Sequence, residues 1–362
     1  MISYKYKLYT THRTKYLDRM LREASFVWNH ALALQKRYYT LFGRYVSCVD
    51  MQKHFRKRIK RNLLGSQTVQ ELLQRQDAAY KRFFKHLAKR PPKFRRAKDF
   101  RSIVYKQAGY KLYGNEIILN QKYRFKFFYS RPWEGTVKRV ILKRSPLGEY
   151  YVVIVTDAVA SPIRKSHDGA SVGIDFGLKT YMTLSDGTTI QSPRFLKESL
   201  TEVRRRSRNL SRCQKGSHNR ERKRKELDRL HEKIVDRRSE WQWELARTLC
   251  RKYDNIFIED LSLLGMGKLW GRKMSDLGHA EFVTKLEYVA TRFGVTVHKI
   301  DRFYPSSKTC TCGHVNKELK LSDRVWTCPV CGAVHDRDCL AANNILRQGI
   351  AELERGARPT SA

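Results

Sequence analysis

Acidic residues are scarce in this sequence. Its 362 residues hold 35 Asp and Glu against 74 Lys and Arg, a formal charge of +39. A compact chain with that balance repels itself unless a polyanion shares the work, and nucleic acid is the simplest one. Long apolar runs are also missing. No stretch reaches the roughly eighteen apolar residues of a membrane span, and the start MISYKYKLYTTHRTKYLDRM lacks the apolar middle of a secretory signal. The expectation is a cytosolic protein, nucleoid-associated when bound to DNA, with no membrane partner. Its eight cysteines are then thiols and metal ligands rather than disulfides. A hydrophobic content of 41% argues against disorder, and the length suits two or three units with real cores.

Patterning divides the chain. MISYKYKLYT alternates Ile2, Tyr4, Tyr6 and Leu8 with lysines, which predicts a strand. Leu17, Leu21, Ala24, Val27, Trp28, Ala31, Leu32 and Leu34 then recur at helical spacing. Further helices are expected over 46–62 and 67–89, the second with Ser66 as N-cap and Pro91 and Pro92 beyond its end. From about 100 to 158 the period becomes two, predicting a small antiparallel β unit that recruits the first strand across the inserted helices. From 171 onward strands and helices alternate, an α/β pattern. A strongly basic helical region over 194–252 breaks at QKGSHN, and a helix capped by Ser275 ends at Gly294.

Three acids draw notice. In VGIDFG, Val172, Ile174 and Phe176 point to one side and Asp175 to the other. A carboxylate on so apolar a strand is costly to bury without a cation or partner, although an Asp can also simply begin a turn. Glu259 ends the apolar strand of NIFIED, where ligand sites of open α/β sheets gather. Asp338, in HDRDCLAANNIL, starts an apolar helix, with Asp336 its nearest competitor; a helix-start acid is also common without catalysis. Together the three could hold the hard divalent cations that phosphodiester hydrolysis uses. Cys310, Cys312, Cys328 and Cys331 supply four thiolates, and CPVCG has the two-residue spacer and following Gly of a zinc knuckle. Cys48, Cys213, Cys250 and Cys339 read as ordinary thiols.

GIDFGLKTYMTLSDG, IFIEDLSLLGM and RFYPSSKTC followed by DRVWTCPVCGAVHDRDCLAANNIL, in this order, resemble the nuclease segments and inserted zinc ribbon of the TnpB family, transposon-encoded RNA-guided DNA endonucleases related to type V CRISPR effectors. SRPWEGTVKRVILKRSPLGEYYVVI is similar to that family's wedge domain, and SQTVQELLQRQDAAYKRFFKHLAKRPPKFRRAKDFRS to the end of its helical recognition region. The resemblance implies a multidomain α/β fold: an RNase H-like (RuvC) nuclease domain with an inserted zinc ribbon, plus a β-barrel-like wedge domain interrupted by a helical recognition domain. Its boundaries would be 1–12 with 97–165 for the wedge, 13–96 for the helices, 166–304 for the first nuclease segments, 305–334 for the ribbon, 335–348 for the third segment and 349–362 for a flexible tail.

The resemblance also implies Asp175, Glu259 and Asp338 as catalytic Mg²⁺ ligands, two ions in all, and the four cysteines as structural Zn²⁺ ligands. The partners would be a guide RNA encoded near the gene and a double-stranded DNA target recognised beside a short motif, with the activity serving transposon maintenance. Candidate nucleic-acid contacts are Arg131, Lys138, Arg139, Lys143, Arg144, Arg204, Arg205, Arg206, Arg222, Lys223, Arg224 and Lys225. Two departures stand out. The family usually has Asn where this chain has Leu340, and one residue instead of two separates Cys310 from Cys312, so His314 is an alternative ligand. They keep open a nuclease-impaired RNA-guided repressor, and the fold class keeps open a strand-transfer transposase.

Overall fold

The computed structural model describes residues 1–58, 63–159, 163, 169–260, 276–320 and 323–354. The chain forms two compact units, 1–160 and 161–362. In the first, β1 (Ile2–Lys7) buries Tyr4 and Tyr6 and exposes Ser3, Lys5 and Lys7, the predicted alternation. It pairs antiparallel with β7 (Tyr150–Thr156), from Ile2 opposite Thr156 to Lys7 opposite Tyr151. With β2 (Ser102–Tyr105) and β6 (Val137–Arg144) the sheet order is β1-β7-β6-β2, so the first strand is recruited across the intervening helices. A second sheet holds β3 (Tyr110–Tyr113), β4 (Glu116–Leu119) and β5 (Tyr123–Lys126). A bridge from Leu8 to Phe127 continues β1 along the end of β5.

Helices α1 (Thr14–Phe42), α2 (Cys48–Arg58) and α3 (Ser66–Phe84) lie between the strands in sequence. The predicted stripe of α1 is buried from Leu17 to Leu32. It shares one core with the sheet, where Met20 and Trp28 join Phe100, Ile103, Tyr105 and Val152. Two local expectations change. The helix expected over 67–89 stops at Phe84, because His86 adopts φ 56° and the Leu87 N–H turns back to Arg82 O before the prolines are reached. Ser66 is the first helical residue, and Gly65 stands at the cap without a side-chain acceptor.

The second unit opens with β8 (Ser171–Phe176), β9 (Met182–Leu184) and β10 (Thr189–Ile190). Helices α4 (Phe195–Glu198), α5 (Leu200–Ser211) and α6 (His218–Lys252) follow, the last two broken at the predicted place and α6 capped by Ser217. Next come β11 (Asn255–Glu259), α7 (His279–Phe293), β12 (Thr296–Ile300), the hairpin β13 (Val325–Thr327) and β14 (Val334–Asp336), and α8 (Arg337–Glu354). The main sheet runs β10-β9-β8-β11-β12, with β8, β11 and β12 parallel and β9 antiparallel to β8.

Gly294 ends α7 at φ 68° as expected, with Gly278 at its other end; the predicted cap Ser275 lies outside the described residues. The expected tail begins as helix, since α8 continues to Glu354. No described helix is long and apolar enough to cross a membrane.

Candidate active site and metal centre

Strand β8 buries Val172, Gly173, Ile174 and Phe176 and leaves Asp175 partly accessible. In the parallel register Ile174 lies opposite Ile258, so the next residues, Asp175 and Glu259, are neighbours at the carboxyl ends of adjacent strands. Asp338 sits in the first turn of α8. Asp175 feels the other two. Desolvation first, then the charges of Asp338 and Glu259, push Asp175 up to about 7. Burial, helped by Asp260, raises Glu259 as well. Their oxygens are not drawn into one tight cluster: among the described residues, the potential ligand atoms that all fall within 4.8 Å of one another belong to the cysteines. The acid set has the hard donors and a repulsion, only partly offset by Arg324 and Arg337, that a divalent cation relieves, so it fits Mg²⁺.

Two arginines and two further acids stand beside the three. Arg324 Nη1 donates to both oxygens of Asp338, at 2.9 and 2.8 Å. The hairpin register explains this placement, since Val325 pairs with Asp336 and the Arg337 N–H reaches Arg324 O. Nothing in the sequence marked Arg324, because its proximity depends on how the knuckle between the strands folds. Asp336, the competitor for the third acid, instead caps α8 by accepting from the Cys339 N–H at 2.9 Å. Arg302 is paired with Asp260, next to Glu259.

Helix α8 is seated on the sheet through glycines. A Cβ on Gly173 of β8 would run into the backbone of Ala342 and Leu346, and one on Gly349 would enter the ring of Phe257 in β11. Buried Asn344 ties the helix to the loop before Cys310, donating to Ser306 O at 2.8 Å and Thr309 O at 2.6 Å. The sequence reading missed Asn344, which its stretch of small residues conceals.

The four cysteines converge as expected. Cys310 and Cys331 Sγ are 3.5 Å apart and Cys312 and Cys328 Sγ 3.7 Å, close to the sulfur spacing of about 3.8 Å that tetrahedral zinc–thiolate bonds require. The donor set therefore fits Zn²⁺. The short spacer shortens the turn by one residue without scattering the thiols. The Gly332 N–H closes on Cys328 O and the Cys328 N–H on Ala333 O. In the shorter knuckle the Gly313 N–H closes on Cys310 O and the Cys310 N–H on His314 O, with Gly313 at φ 90°. His314 contributes its backbone there and is not in the ligand cluster. His335 Nε2 lies 3.0 Å from Cys310 Sγ. Leu340 packs with Cys310, Leu319, Trp326 and Cys328, so its side chain belongs to the small core around the cysteines. Cys328→Ser is expected to reduce bound zinc from about one ion per chain to nearly none, checked by metal analysis after dialysis.

Many of the candidate nucleic-acid contacts have partners within the chain. Arg144 bonds Asp18 and Lys98 O, Lys138 pairs with Asp157, and Arg131 lies over the Tyr4 ring. Arg205 and Arg206 grip Glu202, Lys223 pairs with Glu226, Arg224 with Glu221 and Asp228, and Arg222 bonds Asn219. Arg139, Lys143 and Arg204 are exposed and Lys225 is partly so, all four without an ion-pair partner among the described residues. Much of the basic hairpin's charge is thus paired within its own helix, while Arg206 Nη1, donating to Glu226 O, and Arg220 Nη1, donating to Leu210 O, tie α5 to α6.

Comparison with known proteins bears on the whole chain. Models described as "Probable transposase" (OrfB, IS605 type), "Cas12f1-like, TNB domain" and "Helix-turn-helix domain" match residues 152–269, 279–345 and 1–44. A "Putative RNA-guided DNA endonuclease" of Streptomyces pristinaespiralis is 33% identical over 363 aligned positions, covering 96% of this chain and 89% of the relative. The chain belongs to the TnpB family. The similarly described InsQ of Escherichia coli (strain K12) is 29% identical, with 94% of this chain and 90% of InsQ covered. This TnpB-family chain also shares its fold with the protein of a Cas12f1–sgRNA–target DNA complex, at a TM-score of 0.58 and 15% identity, over 92% of this chain and 83% of that one. The chain is a multidomain α/β protein. The stretch matched by the helix-turn-helix model is here one strand and one long helix, β1 and α1.

Proposed function

We propose that the chain is an RNA-guided DNA endonuclease that binds a guide RNA encoded near its own gene, recognises a motif beside its target and hydrolyses both DNA strands. The second unit is read as a RuvC-like nuclease domain with an inserted zinc ribbon, and the first as wedge and helical recognition elements. The observation that carries this reading is Asp175, Glu259 and Asp338 brought close enough to perturb Asp175, in a chain of charge +39. The names and coverage of the two relatives support it.

Asp175, Glu259 and Asp338 would hold the Mg²⁺. When bound, Mg²⁺ would activate water and offset charge on the leaving oxygen. The chain's own residues prepare the site. β8 and β11 fix two carboxylates side by side, and α8 presents the third. Arg324 is paired with Asp338; exchanged onto substrate, its guanidinium would offset the charge of an anionic phosphate oxygen. Arg324→Ala is therefore expected to lower guided cleavage about tenfold or more with zinc content unchanged, read by plasmid nicking rates alongside metal analysis. The ribbon's zinc would serve as a clamp, with no role in the chemistry. Base pairing between guide and target would supply most of the sequence recognition.

The reading is tested by plasmid cleavage in Mg²⁺, using protein co-expressed with RNA from the 3′ end of its gene and a randomised flanking library. Guide-dependent cutting supports it. Guide-dependent binding without cutting would favour the repressor, and products joined to a 3′ hydroxyl would favour strand transfer.

A further inference from the structure

The outward face where β1 meets the end of β5 is built of rings and lysines. Leu8 opposite Phe127 points inward, and both are buried. One residue along, the faces reverse: the Phe128 N–H bonds Lys7 O and the Tyr9 N–H bonds Lys126 O. Lys7, Tyr9, Lys126 and Phe128 therefore form a cross-strand block on the solvent side. The Tyr9 and Phe128 rings stack at 4.0 Å with planes 26° apart, yet they remain 41% and 50% exposed. A stacked pair left this open has apolar faces still to cover.

The surroundings of the pair select the occupant. Lys7 pairs with Glu149 and Lys126 with Glu116, at 2.7 and 3.7 Å, while Lys5 lies 4.2 Å over the Tyr151 ring on the same face. The ammonium groups of Lys7 and Lys126 are partly neutralised. The block is thus a weak phosphate site and a good flat surface. It also follows a trend: Tyr38, Tyr39, Phe42 and Tyr113 are further exposed rings of the first unit, whereas in the second the exposed aromatic rings among the described residues are Tyr288 and Phe303.

We infer that Tyr9 and Phe128 form a stacking platform for unpaired bases of the guide RNA. The inference rests on the guide-RNA reading above and deepens it. Folded RNA offers splayed bases in loops and bulges from the moment it binds, whereas target DNA arrives as a stacked duplex and exposes bases only after unwinding. Stacking on aromatic side chains tolerates any base and changes little with salt, because it releases few counterions.

The first test needs no guide. Affinity for a twelve-residue oligoriboadenylate is compared with that for the same backbone carrying abasic riboses, at two salt concentrations, in wild type and in Tyr9→Leu/Phe128→Leu. The expected result is about a tenfold loss for the base-bearing oligomer, little loss for the abasic one, and the same ratio at both salts. Tyr9→Phe should retain the affinity. An unchanged affinity, or an equal loss on abasic RNA, overturns the platform. The second test uses the native protein and so is immune to misfolding of a variant. Protein co-expressed with 4-thiouridine-substituted RNA from its gene's 3′ end is irradiated and its adducts are mapped. Adducts at Tyr9 or Phe128 are expected. Adducts confined to other peptides, or formed there only with 4-thiothymidine-substituted target DNA, overturn the assignment to RNA. A failure of guided cleavage with the oligomer result intact would count against the nuclease reading alone.

Discussion

Asp175→Ala is expected to abolish guided DNA cleavage, by about a thousandfold or more, while guide-RNA binding stays within about twofold. The magnitude follows from the several kcal/mol that a bound metal contributes to charge stabilisation, at about 1.4 kcal/mol per decade of rate. Quantified plasmid cleavage and RNA retention measure the two halves separately, and cleavage that survives the substitution would sink the site. Stability should move the other way. Burial and two neighbouring carboxylates raise Asp175 to about 7 from an ordinary value near 4. A carboxylate raised on folding binds its proton more tightly in the folded state, so its ionisation costs stability as pH climbs from about 4 to about 7, and the full cost applies above that. Without added Mg²⁺, Asp175→Asn should therefore raise the melting temperature at pH 8 and leave it nearly unchanged at pH 4. After discounting for the solvent access of the side chain, the gain is about 1–3 kcal/mol. Mg²⁺ should stabilise the wild type and have little effect on the variant.

The sequence made some of this legible and hid the rest, for physical reasons. Strand acids are visible because β8 and β11 are so apolar that a carboxylate on either has to be explained. The cysteines are visible because chelation constrains their spacing. The recruitment of the first strand could be read from alternation, since Tyr4 and Tyr6 need a buried face and β7 supplies one. The end of α3 could not be read this way: the prolines gave an outer limit, and the left-handed His86 stopped the helix first. Partnerships of the basic residues were equally hidden. Arg206 and Lys223 look alike in composition to Arg204 and Lys225; Glu202 and Glu226 hold the first pair, whereas Glu221 and Asp228, at helical spacing from Lys225, are held by Arg224. Leu340 looked like a defect at the catalytic end until its neighbours Trp326 and Cys328 showed it to be core.

Gly173→Ala should cost about as much activity as loss of an acid, although it removes no chemical group. A methyl at this position meets the backbone of Ala342 and Leu346, which cannot rotate away as a side chain would. The helix must lift or slide. Asp338 lies one turn before Ala342 on the same helix, so any shift of the seat is transmitted to the third carboxylate. Overpacking of this kind costs about 1–3 kcal/mol or more, and a displacement near 1 Å can reduce catalysis about a hundredfold. The expected outcome is a lower melting temperature, guided cleavage reduced about a hundredfold and a raised Mg²⁺ requirement, with zinc content and guide-RNA binding retained. Gly349→Ala, which pushes on Phe257 from the helix side, should do the same with a smaller loss, because a ring can tilt and a backbone cannot. If Gly173→Ala cleaves normally, α8 does not set the position of Asp338. If it loses zinc as well, the seat and the ribbon fold as one element, and the helix places its carboxylate only when the knuckle is closed.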